Sequence, residues 1–355
     1  MTRRNWLFVL LVSVFLTCSE ENPTEQSGFP KAEEQNIDGV KLEKAFQAAR
    51  QDGGVSALLI ARNNVVVCEE LFHAGIVDTN QNIRSITKSV LSMLTGMALE
   101  QNLLDSVDQK IAPFMQKISE AYESRHADLT IRHLLTMSSG FPWSELDASA
   151  TDYGKWASAA NQVDYVLSLP FIHPIGQTFT YNSGASHLLS VILTEVSGKT
   201  TREFANRYLF DPLDISPGTW SKDKQDYYNG SSTLRLGPHA LLKIGLLFMN
   251  GGRYNGQQLV SEEWVSLSTQ NHITTNNAVP FGPGYGFLWW TGSQNGHDYY
   301  FANGWGGQFI VNVPNLSLTV VAQSNWNMGN RPAHQQWFNT INIIMTEVLP
   351  AVRQY

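Results

Sequence analysis

Two residues three positions apart, Ser85 and Lys88 in the stretch "IRSITKSV" (83–90), have the types and the spacing for covalent chemistry. A serine hydroxyl is a weak nucleophile at neutral pH and needs an adjacent base, and a lysine amine can be that base only while uncharged. Residues i and i+3 of a helix share a face and are separated by roughly 4.5 Å of rise. The run that follows, "VLSMLTGMALE" (90–100), is apolar on nearly every side, which predicts a buried helix. A lysine at the start of such a helix would be dry and near the positive end of the helix dipole, and both effects lower its pKa. Taken alone, Ser85 could equally be a helix N-cap. A second copy of the spacing, "SKDK" (221–224), lies in a polar stretch and reads as a solvated loop.

Two further segments carry candidate chemistry. In "FTYNSGASHLLSVILTEVSG" (179–198) an exposed-looking turn, Tyr181-Asn182-Ser183-Gly184, opens an amphipathic helix. A tyrosine there could pack, or it could aim its phenol at a neighbouring serine and pass protons to a leaving group. In "FANGWGGQFIVNVP" (301–314), Gly304, Gly306 and Gly307 lead into a strand. They form either a plain glycine-rich hairpin or a place where backbone approaches a ligand and a free N–H helps hold an oxyanion.

Other chemistries are excluded or weak. "SGKTT" (197–201) has Leu193 where a phosphate-binding loop needs its first glycine, and no G-x-S-x-G elbow surrounds a plausible serine. The nine histidines include no H-E-x-x-H spacing, and His133 reads as a satisfied core histidine. Arg84 and Arg132 read as ion-paired structural residues. A net charge of −7 without a basic cluster argues against a nucleic-acid partner.

The three segments, in this order and at these separations, resemble the serine β-lactamase and penicillin-binding-protein-like hydrolases. The branch containing class C β-lactamases, esterases and 6-aminohexanoate-dimer hydrolases is the most similar. The resemblance runs from about residue 40 to 350 and includes "LTIRHLLTMSSGFPW" (129–143) and "RLGPHALLKIGLLFMNGGRYNGQQLVSEEWV" (235–265). It implies Ser85 as the acyl-accepting nucleophile, Lys88 as its base and Tyr181 as the proton-shuttling phenol. The Ser85 N–H and one from the 304–307 segment would form the oxyanion hole, with Asn182, Asn303, Gly304, Trp305 and Gly306 as substrate-binding candidates. Aromatic residues of the middle region, among them Phe141, Trp143, Trp156 and Trp305, would line the pocket. No metal or cofactor is implied.

The chain departs from the family pattern twice. The usual Tyr-x-Asn is here Tyr181-Asn182-Ser183, and the cation that usually opens the third motif is missing from Ala302-Asn303-Gly304. Losing that cation tilts the expected substrate toward small esters or amides without the carboxylate that β-lactams and peptidoglycan stem peptides carry. A peptidoglycan D,D-carboxypeptidase and a non-catalytic binding or sensor domain are the alternatives.

These residues need a scaffold. "IDGVKLEKAFQAARQDGG" (37–54) has helical spacing ending on a Gly-Gly cap signal, and "VSALLIARNNVVVCEELF" (55–72) reads as two strands around an Asn63-Asn64 turn. Short β-rich runs from "YGFLWWT" (285–291) to "LSLTVVAQS" (316–324) precede a last amphipathic helix. The expected fold is α+β, β-lactamase/transpeptidase-like. One antiparallel sheet is drawn from about 37–75 and 283–350, flanked by N- and C-terminal helices, and a mostly helical domain is inserted at about 85–250.

The N-terminus reads as a separate object. Arg3, Arg4 and the apolar run from Trp6 to Leu16 predict an export signal over residues 1–18, followed by a tether over 19–36 and the hydrolase domain over 37–350. Phe15-Leu16-Thr17 before Cys18 resembles a lipobox. Lipidation of Cys18 would attach the chain to a membrane and make it a periplasmic or outer-membrane bacterial lipoprotein. The oligomeric state is not legible.

Overall fold

A computed structural model describes residues 28–72, 80–147 and 149–353. The predicted export signal and Cys18 lie outside the described residues. Helix α1 (Gly39–Asp52) starts where the Asp38 carboxylate accepts from the N–H groups of Val40 and Lys41, both at 3.1 Å. It stops at Gly53, whose φ of +71° is the left-handed conformation that glycine adopts without a Cβ penalty. Leu42, Ala45, Phe46 and Ala49, at helical spacing, form its buried stripe.

Strands β1 (Val55–Arg62) and β2 (Val65–Leu71) follow. Asn63 and Asn64 both have positive φ, the mirror-image turn whose twist matches a hairpin. The sheet is completed by β3 (Ile273–Thr274), β4 (Gly284–Tyr285), β5 (Trp290–Gln294), β6 (His297–Gly304), β7 (Gln308–Val313) and β8 (Leu318–Ser324). Its order is β2-β1-β8-β7-β6-β5-β4-β3, antiparallel throughout, so segments from both ends of the chain close on one another through β1 and β8.

Every residue of β1 and β8 is buried, as a sheet covered on both faces requires. Alternation along β8 sorts the covering helices. Thr319 touches α4 (Pro238–Met249) at Gly245, and Gln323 donates to Leu236 O, so odd positions face the helical middle. Ser324 meets Thr340 on α5 (Asn330–Asn342), so even positions face the terminal helices.

The helical middle is built around α2 (Ile86–Glu100), buried from Ile86 to Ala98, and α3 (Ser183–Ser197), which packs on it. Gly96 lets α2 pass beneath the Trp264 ring, where a Cβ would come within 2.5 Å. This is the expected α+β sheet with its helical insertion. The end of the predicted tether is different: residues 28–34 are helical, Ala32 and Ile37 are fully buried, and the carbonyls of Gln35 and Asn36 each accept at 2.8 Å from the buried Arg62 guanidinium. A buried guanidinium needs such acceptors, and this one draws the segment down onto the domain.

Candidate active site

The segment leading to Ser85 is fixed before the helix begins. Gln81 and Asn82 pair with Arg235 and Leu236 in a short ladder, and Ile83 N–H donates to Leu234 O at 2.9 Å. Arg84 then takes a φ of +54°, held by its N–H donating to Asn82 Oδ1 at 2.9 Å. This tight turn delivers Ser85 to the N-cap of α2 with no side-chain capping bond, which leaves its hydroxyl free for chemistry. Ser85 lines a cleft of about 430 Å³ together with Arg84, Glu145, Tyr181, Asn303 and Trp305.

Lys88 is 1% exposed, and its amine points back along the helix to Ser85 Oγ at 3.0 Å. Two other groups surround Nζ: Ser183 Oγ at 2.9 Å and Ser231 O at 3.1 Å. Burial pushes the amine down to about 8, partly offset by the Glu145 carboxylate 3.9 Å away and reinforced by Arg84.

The hydrogens can be assigned by counting. Ser231 O only accepts, and the Ser183 hydroxyl gives its own hydrogen to Glu145 Oε1 at 2.6 Å. A neutral amine has two hydrogens and one lone pair, so both hydrogens go to those partners and the lone pair faces Ser85. After taking a proton, the ammonium finds an acceptor in each of the three directions. The pocket therefore satisfies both states.

Tyr181 is buried at 7% exposure, not on an exposed turn. Its ring stacks on Trp290 and meets Tyr285 edge-on, and it lines the cleft with Ser85, whose side chain acts on its phenol. Burial, reinforced by Glu145, holds the phenol well above the ordinary tyrosine range, so at neutral pH it is a proton donor and not a phenolate. Lys88 Nζ lies 4.8 Å from the centre of the Tyr181 ring.

Asn182 does not reach the cleft. Its Oδ1 caps α3 by accepting from Ala185 N–H at 2.9 Å, and the residue is fully buried. Asparagine is a strong N-cap, and that role removes it from the substrate-binding candidates. Ser183, one step on, faces Lys88 instead.

At the other wall, Gly304 ends β6 so close to Ile83 O that a Cβ would sit 2.4 Å from it. This glycine keeps the strand end against the nucleophile's own segment, and Asn303 and Trp305 on either side line the cleft. Gly306, with φ +76°, packs on Trp326 and is absent from the lining. Trp156 and Phe141 are fully buried core residues rather than pocket walls, because Phe171 stacks on Phe141 while Trp143, Tyr153 and His187 pack edge-on around Trp156. Trp143 acts indirectly, since its indole N–H donates to Glu145.

Sequence reasoning missed Glu145, Ser183 and Ser231. Glu145 is held by Ser183 N–H at 3.0 Å, Ser183 Oγ and Trp143, so three donors fix its carboxylate beside the amine. The only advance signal was an acid two residues past Trp143 in "FPWSELD". Arg132 is ion-paired with Asp108 at 2.6 Å as expected, whereas Arg84 has no carboxylate partner among the described residues. In "SKDK", Ser221, Lys222 and Lys224 are exposed, but the Asp223 side chain is buried against His187 Nε2 at 2.9 Å.

A family model described as Beta-lactamase matches residues 40–343. The 6-aminohexanoate-dimer hydrolase of Paenarthrobacter ureafaciens is 22% identical over 321 residues, covering 83% of this chain and 78% of that protein. An unguisins hydrolase of Aspergillus violaceofuscus is 24% identical over 184 residues, so the match takes in 51% of this chain and only 31% of that relative's length. Among solved structures, EstCE1, a hydrolase with promiscuous acyltransferase activity, shares the fold with a TM-score of 0.67 at 17% identity, covering 84% of this chain and 98% of that one.

Proposed function

This chain belongs to the Beta-lactamase family, and on that premise we propose that it is a serine hydrolase that cleaves ester or amide bonds through an acyl-enzyme on Ser85. The observation that carries the reading is the buried Lys88 amine, whose lone pair has one direction left to face, toward Ser85 Oγ.

In the proposed reaction, Ser85 Oγ attacks the substrate carbonyl carbon while Lys88 takes the hydroxyl proton. The carbonyl oxygen gains the electron pair and is held by the Ser85 N–H and an N–H of the 304–307 segment. The intermediate then collapses, breaking the bond to the leaving alkoxide or amine, which receives its proton by way of the Tyr181 phenol. Water attacks the acyl-Ser85 ester by the reverse relay, releasing the acid and restoring the hydroxyl. A hydrolase relative and an acyltransferase-capable structural neighbour support this reading. Arg3, Arg4 and the apolar run ahead of Cys18 support export and lipid attachment, which palmitate labelling of wild-type and Cys18→Ser protein would test.

The test is turnover of 4-nitrophenyl butyrate with mass analysis of the quenched enzyme. The expected result is one butyryl group on the Ser85 peptide and no turnover by Ser85→Ala. Full activity in Ser85→Ala, or an acyl group on another residue, would overturn the proposal.

A further inference from the structure

We propose that Arg84, with the Asn303 amide opposite, makes this site selective for esters or amides that carry a carboxylate near the scissile bond. The inference rests on the hydrolase reading and names its substrate class. It starts from an anomaly of pairing. Arg50, Arg125, Arg132 and Arg353 each have an acid, and the buried Arg62 guanidinium has backbone carbonyls as acceptors. The Arg84 guanidinium lies against the Trp326 ring at 4.9 Å, its Nε is shut from solvent with no hydrogen-bond partner, and no carboxylate of the described residues pairs with it.

Arg84 is half-buried, and partial desolvation of a cation without a counter-ion is unfavourable, lowering the guanidinium's affinity for its own proton. Tyr153 and Glu145 act on Arg84 only from a distance: the Glu145 carboxylate is held by Ser183 and Trp143 and forms no ion pair with the guanidinium. The charge is thus left unsatisfied in the wall that carries the nucleophile, as a site awaiting an anionic ligand would be. A protein of net charge −7 repels anions at long range, so a local cation must supply the selection.

Asn303 adds a second donor. Its Oδ1 accepts from the Trp337 indole N–H, which fixes the amide orientation and leaves Nδ2 as its free group in the same cleft. The missing cation of the strand motif is replaced, in this account, by one from the nucleophile's own turn.

The experiment compares mono-4-nitrophenyl glutarate with its neutral methyl ester. Wild-type protein should favour the charged ester in kcat/KM by about tenfold or more. Arg84→Gln should bring that ratio close to one, and Arg84→Lys should keep part of it. Any effect of Arg84 on Lys88 acts on both esters and cancels in the ratio. An unchanged ratio in Arg84→Gln would overturn the proposal. A second measurement needs neither turnover nor an Arg84 variant: calorimetric titration of Ser85→Ala protein with hexanoate and with hexanamide. Tighter hexanoate binding, again by about tenfold, supports the assignment, and equal or weaker binding overturns it. If wild-type protein cleaves neither ester yet Ser85→Ala still prefers hexanoate, the hydrolase reading fails and the anion site stands.

Discussion

Lys88 Nζ lies 2.9 Å from Ser183 Oγ, and because that hydroxyl gives its own hydrogen to Glu145, it can only accept from the amine. This bond, with the one to Ser231 O, turns the lone pair of the neutral amine toward Ser85. A methionine at position 88 would keep the apolar stem and remove the base. Lys88→Met should lose at least about a thousandfold in kcat/KM while keeping its melting temperature near wild type. Recovery of activity above about pH 10 would mean that hydroxide replaces a lysine whose part was structural.

Glu145 and Lys88 set the pH at which the site works. The carboxylate raises the amine's pKa, so Glu145→Gln removes a force favouring the charged form, and the pKa falls below about 8. Activity requires the neutral amine, so the rising limb of kcat/KM against pH should move to lower pH in Glu145→Gln. The plateau should also drop, since Ser183 loses the acceptor that orients it. A limb that moves upward would show that the carboxylate does not act through Lys88.

Tyr181→Phe removes the phenol and keeps a ring that stacks on Trp290 at a centroid distance of 5.5 Å. The fold should persist and kcat should fall by about a hundredfold, with the larger loss for substrates whose leaving groups most need a proton. Equal rates on a good and a poor leaving group would return the tyrosine to packing.

Gly304→Ala would place a Cβ 2.4 Å from Ile83 O, wedging β6 away from the turn that carries Ser85. The overpacking should cost about 1–3 kcal/mol of stability. Activity measured well below the melting temperature should fall further than that loss explains, because the displaced pair is the nucleophile and the proposed oxyanion donor. Wild-type kinetics in a destabilised variant would separate Gly304 from the chemistry.

What was legible in the sequence was local. Ser85 and Lys88 share a helix face by spacing alone, and Gly53 and the Asn63-Asn64 turn declare their cap and hairpin through residue type. The choice between Asn182 and Ser183 was also within reach, since the residue opening a helix after an extended Tyr181 is best used as an N-cap. Glu145 was not, for it reaches Ser183 across 38 residues from a loop without periodicity. Arg84 was read as ion-paired, and only the folded arrangement shows that no acid arrives to pair with it. The docked segment before Ile37 escaped notice because a polar stretch shows its buried Ala32 only against a partner surface.

The central claim is that the Ser85 hydroxyl is activated by a dry amine that is largely neutral only above about pH 8. It is tested most directly by the rate at which an uncharged fluorophosphonate modifies Ser85 in wild-type protein across roughly pH 6 to 10, with the modified residue identified by peptide mass. The rate should climb through a single midpoint near 8 and then level off, with no modification of Lys88→Met. A rate independent of pH, one that rises without a plateau to the alkaline end, or modification of Lys88→Met at the wild-type rate would contradict the claim.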